Sequence, residues 1–228
     1  MTGKLEDIRA QIDELDAKLR AGLLRRAELV GQIAAAKADN GDASMPVRPI
    51  REMQQMRSLR AWQQAEAPLL NSAGLLAIWR EIIGMALSQQ GGMTIYASPM
   101  AMAPARAHFG ASLAYDDSPA NISELANNGR AIAVLTLAEA IAPPPGMAVF
   151  ARLPLDGKAA CLCYGAQIDE GQANIDSVYL VRRAAALSGD SVLFQGDDYV
   201  LVETLNSEND TIWGRYLTLG STPSEMDA

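Results

Sequence analysis

The sequence predicts a multidomain protein in which a three-helix N-terminal part is followed by an α/β domain. Over the first ninety residues, apolar side chains recur every three or four positions, which is typical of amphipathic helices. Beyond them, short alternating apolar runs between turn residues indicate strands mixed with short helices. The charge changes at the same place: residues 1–91 carry 12 Lys and Arg against 11 Asp and Glu, whereas the remainder carries 7 against 16. We therefore predict a helical domain over residues 1–91 and an acidic α/β domain over residues 92–228.

The first helix is predicted to be unusually long. Its apolar repeat begins at Leu5 and continues to about Ala38. At 1.5 Å per residue this is about 50 Å, which is more than two shorter helices of the same chain could cover. A second copy of the chain is therefore expected to bury the seam in an intertwined homodimer. The predicted seam consists of Leu5, Ile8, Ile12, Leu15, Leu19, Leu23, Val30 and Ile33.

Two further helices are predicted before residue 91. Asn40-Gly41-Asp42 ends the first helix, and Pro49 suits the first turn of a second one that reaches about Trp62, with Ala67-Pro68 closing it. A third helix is predicted from about Ser72 to Gln90, where Gly91-Gly92 begins a linker.

The acidic half is predicted to alternate strands with short helices at first and to consist of strands thereafter. Helices are expected at 101–109 and 120–128. Strands are expected at 94–97, 112–115, 131–135, 148–153, 160–166, 177–182, 191–194, 199–205 and 211–219.

Arg26 and Lys37 stand where the repeat of the first helix predicts leucine or isoleucine. They are eleven residues apart, so their side chains lie within about 20° of each other and about 16 Å apart along the axis. Gln90 likewise places an amide on the apolar pattern of the third helix. Because buried positive charge is costly unless an anion meets it, we predict a pocket for a small, multiply charged acid.

Arg9 is the cation that this pocket cannot easily use within one protomer. It precedes Arg26 by seventeen residues, which places it about 25 Å away and about 100° around the helix. In an antiparallel dimer, Arg9 of the partner subunit would approach Arg26 and Lys37, and the site would be shared.

Several function classes are disfavoured by composition. The acidic balance argues against nucleic acid as a partner, and no apolar run approaches the length of about 20 residues that a membrane span needs, so a cytoplasmic protein is expected. The sole histidine, His108, has no neighbouring ligands for a metal site, and neither a metal nor a cofactor is expected. Cys161 and Cys163 should lie on one face of a strand, buried and poorly placed to bridge each other.

Several stretches of the helical part agree in order, spacing and residue type with one known family. The first ninety residues resemble the all-helical chorismate mutases, particularly the mutase domain that begins bifunctional mutase/prephenate dehydratase proteins. The matching stretches are Leu5-Glu6-Asp7-Ile8-Arg9 with Ile12, Leu15 and Asp16; Arg26 with Glu28-Leu29; Ala36-Lys37; Arg48-Pro49-Ile50-Arg51-Glu52; and Ile78-Trp79-Arg80-Glu81-Ile82-Ile83 with Gln90.

The resemblance implies the rearrangement of chorismate to prephenate in aromatic amino acid biosynthesis, an intramolecular reaction without a covalent intermediate or proton transfer. It implies that cationic groups clamp the carboxylates, that Lys37 and Gln90 donate to the ether oxygen as it becomes negative, and that Glu52 holds the substrate hydroxyl. The implied substrate-binding residues are Arg26, Arg51 and Arg9 of the partner subunit, and the implied catalytic residues are Lys37, Glu52 and Gln90.

The acidic domain shows a weaker likeness. Its position and the turn Ala107-His108-Phe109-Gly110 are similar to the opening of a prephenate dehydratase domain, but the catalytic and effector motifs of that family have no counterpart here. A degenerate or regulatory appendage is therefore expected. Two other functions stay open at this point: an isochorismate pyruvate-lyase, and a catalytically silent dimer that serves as a scaffold for a ligand-binding domain.

Overall fold

The computed structural model describes residues 2–42, 45–91, 93–118, 122–126, 128–166, 177–205, 207 and 210–219. Three long helices form the first part of the chain: α1 (Thr2–Asp39), α2 (Pro49–Glu66) and α3 (Ser72–Gln89). The three predicted helices are thus confirmed, and α2 continues four residues beyond the expected end. Within the described residues, no helix is both long and apolar enough to cross a membrane.

The ends of α2 and α3 follow from local chemistry. Pro49 occupies the first turn of α2, where its missing N–H costs nothing. The helix continues past Trp62 because the next residues are good helix formers, and it ends just before Pro68, which disfavours helical backbone at the preceding residue. The side chain of Asn71 caps α3 by accepting a hydrogen bond of 2.9 Å from the backbone N–H of Gly74. At the other end of α3, Gly91 adopts a φ of 86°, which lies in the left-handed region that favours glycine.

The rest of the described chain contains one mixed sheet of nine strands and two short helices, α4 (Met102–Phe109) and α5 (Ile122–Leu125). Each predicted strand is present, with ends shifted by at most three residues. The expected helix at 120–128 is represented by α5, and residues 120, 121 and 127 lie outside the described residues. The strands are β1 (Thr94–Ala97), β2 (Ala114–Asp116), β3 (Ala131–Thr136), β4 (Met147–Leu153), β5 (Cys161–Ala166), β6 (Val178–Arg183), β7 (Ser191–Gln195), β8 (Val200–Thr204) and β9 (Thr211–Tyr216).

The strands run across the sheet in the order β2-β1-β3-β5-β4-β9-β6-β8-β7. The first three are parallel and are joined by crossovers through α4 and α5, as the alternation of strands and helices predicts. The remaining neighbours are antiparallel, except for one parallel contact between β4 and β9.

Both faces of the central strands are covered. Along β5, Cys161 and Cys163 point into an apolar cluster on one face, whereas Leu162 and Tyr164 point into a second cluster on the other. Both cysteines are buried and reduced, which confirms the prediction that they share a face without bridging. Burial raises the pKa of the Cys163 thiol well above its ordinary value, so the side chain behaves as a small apolar group.

The helical part and the sheet share the first of these clusters. Met56 of α2 and Leu87 of α3 pack in it together with Ile95 of β1 and Ile132 of β3. The apolar core therefore continues across the predicted domain boundary after residue 91. Polar contacts add to this packing: the Arg57 Nε donates to the Thr218 carbonyl (2.7 Å), and a Glu81 carboxylate oxygen accepts from the backbone N–H of Ala111 (3.0 Å).

The long helix α1 does not take part in that core along most of its length. Seven of the eight predicted seam residues are 41–66% exposed, and only Val30 is buried. The contact of α1 with the rest of the chain lies near its C-terminal half, against α3. An apolar stripe of this length on an exposed helix is typical of an interaction surface.

The closest approach between α3 and α4 occurs at Gly84. A Cβ atom at this position would lie 2.2 Å from the carbonyl oxygen of Phe109, a backbone atom that cannot swing away. The absence of a side chain thus lets the α3 backbone rest directly on the end of α4.

We expect Gly84→Ala to lower the free energy of unfolding by about 1–3 kcal/mol, because α3 and α4 must separate to admit the methyl group. Thermal unfolding at fixed protein concentration measures the change. Gly74→Ala in the same helix is the matched control, since its nearest neighbour atom would be 3.6 Å away, and it should be neutral or slightly stabilising. A Gly84→Ala protein that melts no lower than Gly74→Ala would contradict the packing described here.

Candidate active site

Arg26 lies where α1 packs on α3. Its Nη1 donates to the carbonyl oxygen of Ile82 (3.1 Å), and the Gln89 side chain, about two turns further along α3, donates back to the carbonyl of Ala27 (3.0 Å). The guanidinium is half-buried, and this burial lowers the pKa of Arg26 from its ordinary value. A cation that has lost part of its water shell and keeps free N–H donors favours a carboxylate as its next ligand.

Lys37 and Gln90 occupy the C-terminal ends of the same two helices. Lys37 is half-buried in the last turn of α1, with its Nζ 3.7 Å from an Asp42 carboxylate oxygen. The Gln90 side chain is also half-buried and donates to the carbonyl of Ala86 (3.2 Å). Arg130, from the loop before β3, donates from Nη1 to the carbonyl oxygen of Gly91 (2.6 Å) and so ties this end of α3 to the sheet.

Arg51 and Glu52 are adjacent on α2 but differ in surroundings. Arg51 is exposed, whereas Glu52 is buried. One Glu52 oxygen accepts from the backbone N–H of Arg48 (3.1 Å) at the start of the helix, and the other accepts from Nη1 of Arg80 on α3 (3.0 Å). The carboxylate is therefore held in a defined place between two helices.

The structure thus groups the predicted residues unequally. Arg26, Lys37 and Gln90 lie on one packed pair of helices, α1 and α3, and Glu52 is tied to α3 through Arg80. Arg9 stands apart on the exposed N-terminal half of α1, as its spacing from Arg26 predicts.

Arg80 is a buried charge that sequence reasoning left without a role. Its side chain is 4% exposed, and its Nε has no hydrogen-bond partner among the described residues. A signal was present in the sequence, because Arg80 precedes Ile83, Gly84 and Leu87 at the three-, four- and seven-residue spacing of one helix face. A charge on the apolar face of a helix points to a buried partner.

His108 borders the same region from the sheet side. It is buried at the end of α4, with its ring edge-on to that of Phe109 at 4.5 Å between centroids. Burial, together with the nearby charge of Arg80, holds the pKa of His108 well below its usual range, so the imidazole is neutral at physiological pH. A small pocket lies here, lined by Val47, Pro49, Glu52, Met53, Arg80, His108, Phe150, Ala151 and Leu217.

Comparison with protein families assigns the helical part. Residues 8–91 match the family model described as chorismate mutase type II. This part of the chain is similar to the chorismate mutases of type II. The resemblance found in the sequence is thereby confirmed for the helices, and the match supports chorismate mutase activity. Comparison with curated proteins and with solved structures gave no significant match.

The matched segment consists of α1 from Ile8 onward, α2 and α3, and it contains every site residue predicted from the sequence. The match ends at Gly91, so the likeness of the following residues to a prephenate dehydratase domain stays a prediction.

We expect the neutral His108 to make the fold less stable in mild acid. Because the pKa of His108 is lowered in the folded protein, the unfolded chain binds the proton more readily. The free energy of unfolding should therefore decrease as the pH falls below about 6.5, by up to about 1.4 kcal/mol per pH unit. Chemical denaturation between pH 7 and pH 5 measures this slope. The His108→Gln variant, which does not titrate there, should show a shallower slope; equal slopes for the two proteins would contradict a buried neutral imidazole.

Proposed function

We propose that this protein rearranges chorismate to prephenate in a site shared between two copies of the chain. The observation that carries the proposal is the family match over residues 8–91, which spans the helices that bear Arg26, Lys37, Glu52 and Gln90. The half-buried state of the two cations supports it, because partly desolvated positive charge next to amide donors suits a small dianion.

The proposed mechanism uses positioning and electrostatics. Arg26 and Arg9 of the partner subunit each bind a carboxylate of chorismate, and Arg51 adds positive charge at the edge of the pocket. Held between these points, the flexible substrate is confined to a compact conformer in which the two carbons that bond are close. This confinement lowers the barrier before any bond changes.

Lys37 and Gln90 act on the charge that develops during the reaction. As the ether bond breaks, electron density accumulates on its oxygen, and the ammonium and the amide N–H stabilise it more strongly in the transition state than in the ground state. The amide donates at every ordinary pH, since it has no proton to lose in that range. Glu52 accepts a hydrogen bond from the ring hydroxyl and fixes the orientation of the ring.

The shared site requires a homodimer in which α1 of one chain lies along the helices of the other. The stripe of exposed apolar residues on α1 supports this assembly, because nine large apolar side chains of this helix are more than 40% exposed. An antiparallel arrangement of the two α1 helices would bring Arg9 of the partner subunit towards Arg26. A cytoplasmic location and a place in phenylalanine and tyrosine biosynthesis accompany this proposal, and the acidic domain is proposed to regulate or to stabilise the mutase domain.

We expect Arg26→Ala and Lys37→Ala each to lower kcat/KM for chorismate by at least about a hundredfold, because each removes a charged hydrogen bond to the substrate or to the breaking bond. The decay of the chorismate absorbance and the formation of prephenate measure the activity. Incubation with isochorismate, with detection of released pyruvate, tests the lyase alternative in the same preparation. Full turnover in both variants would remove these residues from the mechanism, and no reaction of the unaltered protein with either compound would leave the scaffold function.

A site shared between two chains also predicts the activity of mixed dimers. Arg9→Ala and Arg26→Ala chains should each be nearly inactive, but one of the two sites in a mixed dimer would be intact. Unfolding and refolding an equal mixture should therefore restore about a quarter of the unaltered activity. Mixing Arg26→Ala with Lys37→Ala is the control, since both changes fall on the same side of the site and no intact site can form. Equal activity of the two mixtures would contradict a contribution from the partner subunit.

A further inference from the structure

The carboxylate of Glu52 is held by a buried ion pair that reaches across two helices. Glu52 and Arg80 are 9% and 4% exposed, and the Arg80 Nη1 lies 3.0 Å from a Glu52 oxygen. Burial tends to lower the pKa of Arg80, and the charge of Glu52 opposes this effect, so each group offsets part of the cost of burying the other.

The geometry leaves Glu52 able to accept more hydrogen bonds. An ionised carboxylate offers about four lone-pair sites. The backbone N–H of Arg48 and the Nη1 of Arg80 use one site on each oxygen. The remaining lone-pair sites can accept a hydrogen bond from another donor. The positions of both oxygens are fixed, because each already accepts a hydrogen bond from a helix. A hydroxyl group that reaches this carboxylate would therefore meet a pre-oriented acceptor.

Residues from beyond position 91 surround the ion pair between Glu52 and Arg80. His108, Phe150 and Leu217 line one pocket together with Glu52 and Arg80. The imidazole of His108 is neutral, since burial and the charge of Arg80 lower its pKa, and therefore it does not compete as a cation for the carboxylate. Two apolar side chains and a neutral ring thus shield the ion pair from water, which strengthens it.

We propose that Arg80 is a positioning residue of the mutase site. It holds the Glu52 carboxylate in the orientation in which Glu52 accepts the hydroxyl of chorismate, and the sheet domain acts in the reaction by covering this pair. The inference rests on the proposed function, and it adds a residue that the resemblance left without a role.

The test compares four variants of the full chain by their kcat and KM for chorismate. Glu52→Gln and Arg80→Gln should each raise KM about 10- to 100-fold with a smaller change in kcat, because the hydroxyl contact exists in both ground state and transition state. Arg80→Lys, which keeps a positive charge, should recover part of the loss. In the double variant Glu52→Gln/Arg80→Gln, removal of Arg80 should cause no further loss beyond that of Glu52→Gln alone.

Arg57→Gln is the matched control for a merely structural role. Arg57 also joins α2 to the sheet, but it does so through the Thr218 carbonyl. Its loss should lower the melting temperature and leave KM within about twofold of the unaltered value. If Arg80→Gln fails to fold, Arg80→Lys and the double variant decide, because replacing both members of a buried ion pair with neutral groups is tolerated better than removing one.

The outcomes separate this inference from the proposed function. Absence of mutase activity in the unaltered protein would overturn the proposed function. An active protein in which Arg80→Gln behaves like Arg57→Gln, or in which the losses from Glu52→Gln and Arg80→Gln multiply in the double variant, would overturn the positioning role alone.

Discussion

The packing of α2 and α3 on the sheet is the constraint on which the rest of the structure depends. Met56, Leu87 and Ile132 share one apolar cluster, and Gly84 lets the α3 backbone rest on the end of α4. This packing commits two of the three mutase-family helices to the sheet and leaves α1 with an uncovered apolar stripe. The division explains why Glu52 is buried while Arg9 lies on an exposed surface.

The secondary structure was largely predictable, because periodicity is a local property. The strand that contains Cys161 and Cys163 and the long helix beginning near Leu5 both follow from apolar spacing alone. The order of the nine strands was not predictable, since it depends on contacts between residues far apart in the chain. The stop of α2 at Ala67-Pro68 was predicted, but its last four residues were not, because the apolar repeat ends at Trp62 whereas the helix continues through polar helix formers to Glu66.

The candidate site was predictable where charge interrupts an apolar repeat, as at Arg26 and Lys37, and where a family resemblance supplies the role, as at Glu52. The role of Arg80 was not predicted, because its partner Glu52 lies 28 residues away on another helix and because several residues that surround the pair come from beyond residue 91. Arg130 was missed for a related reason, since nothing in the sequence around a loop arginine indicates that it donates a hydrogen bond to the carbonyl of Gly91. Contacts between the mutase domain and the sheet are therefore the part that sequence alone leaves out.

The close packing of the α3 backbone on the end of α4 at Gly84 restricts the substitutions that this chain can accept during evolution. Helix α3 packs at Gly84 on the end of α4, and the predicted site residue Gln90 follows its last turn. Because there is no room between the two backbones, a substitution that moves the end of α4 is expected to move α3 as well, and with it the amide of Gln90. The sequence changes that the acidic half can accept are thereby linked to those of the helical half, although the family match covers the helical half.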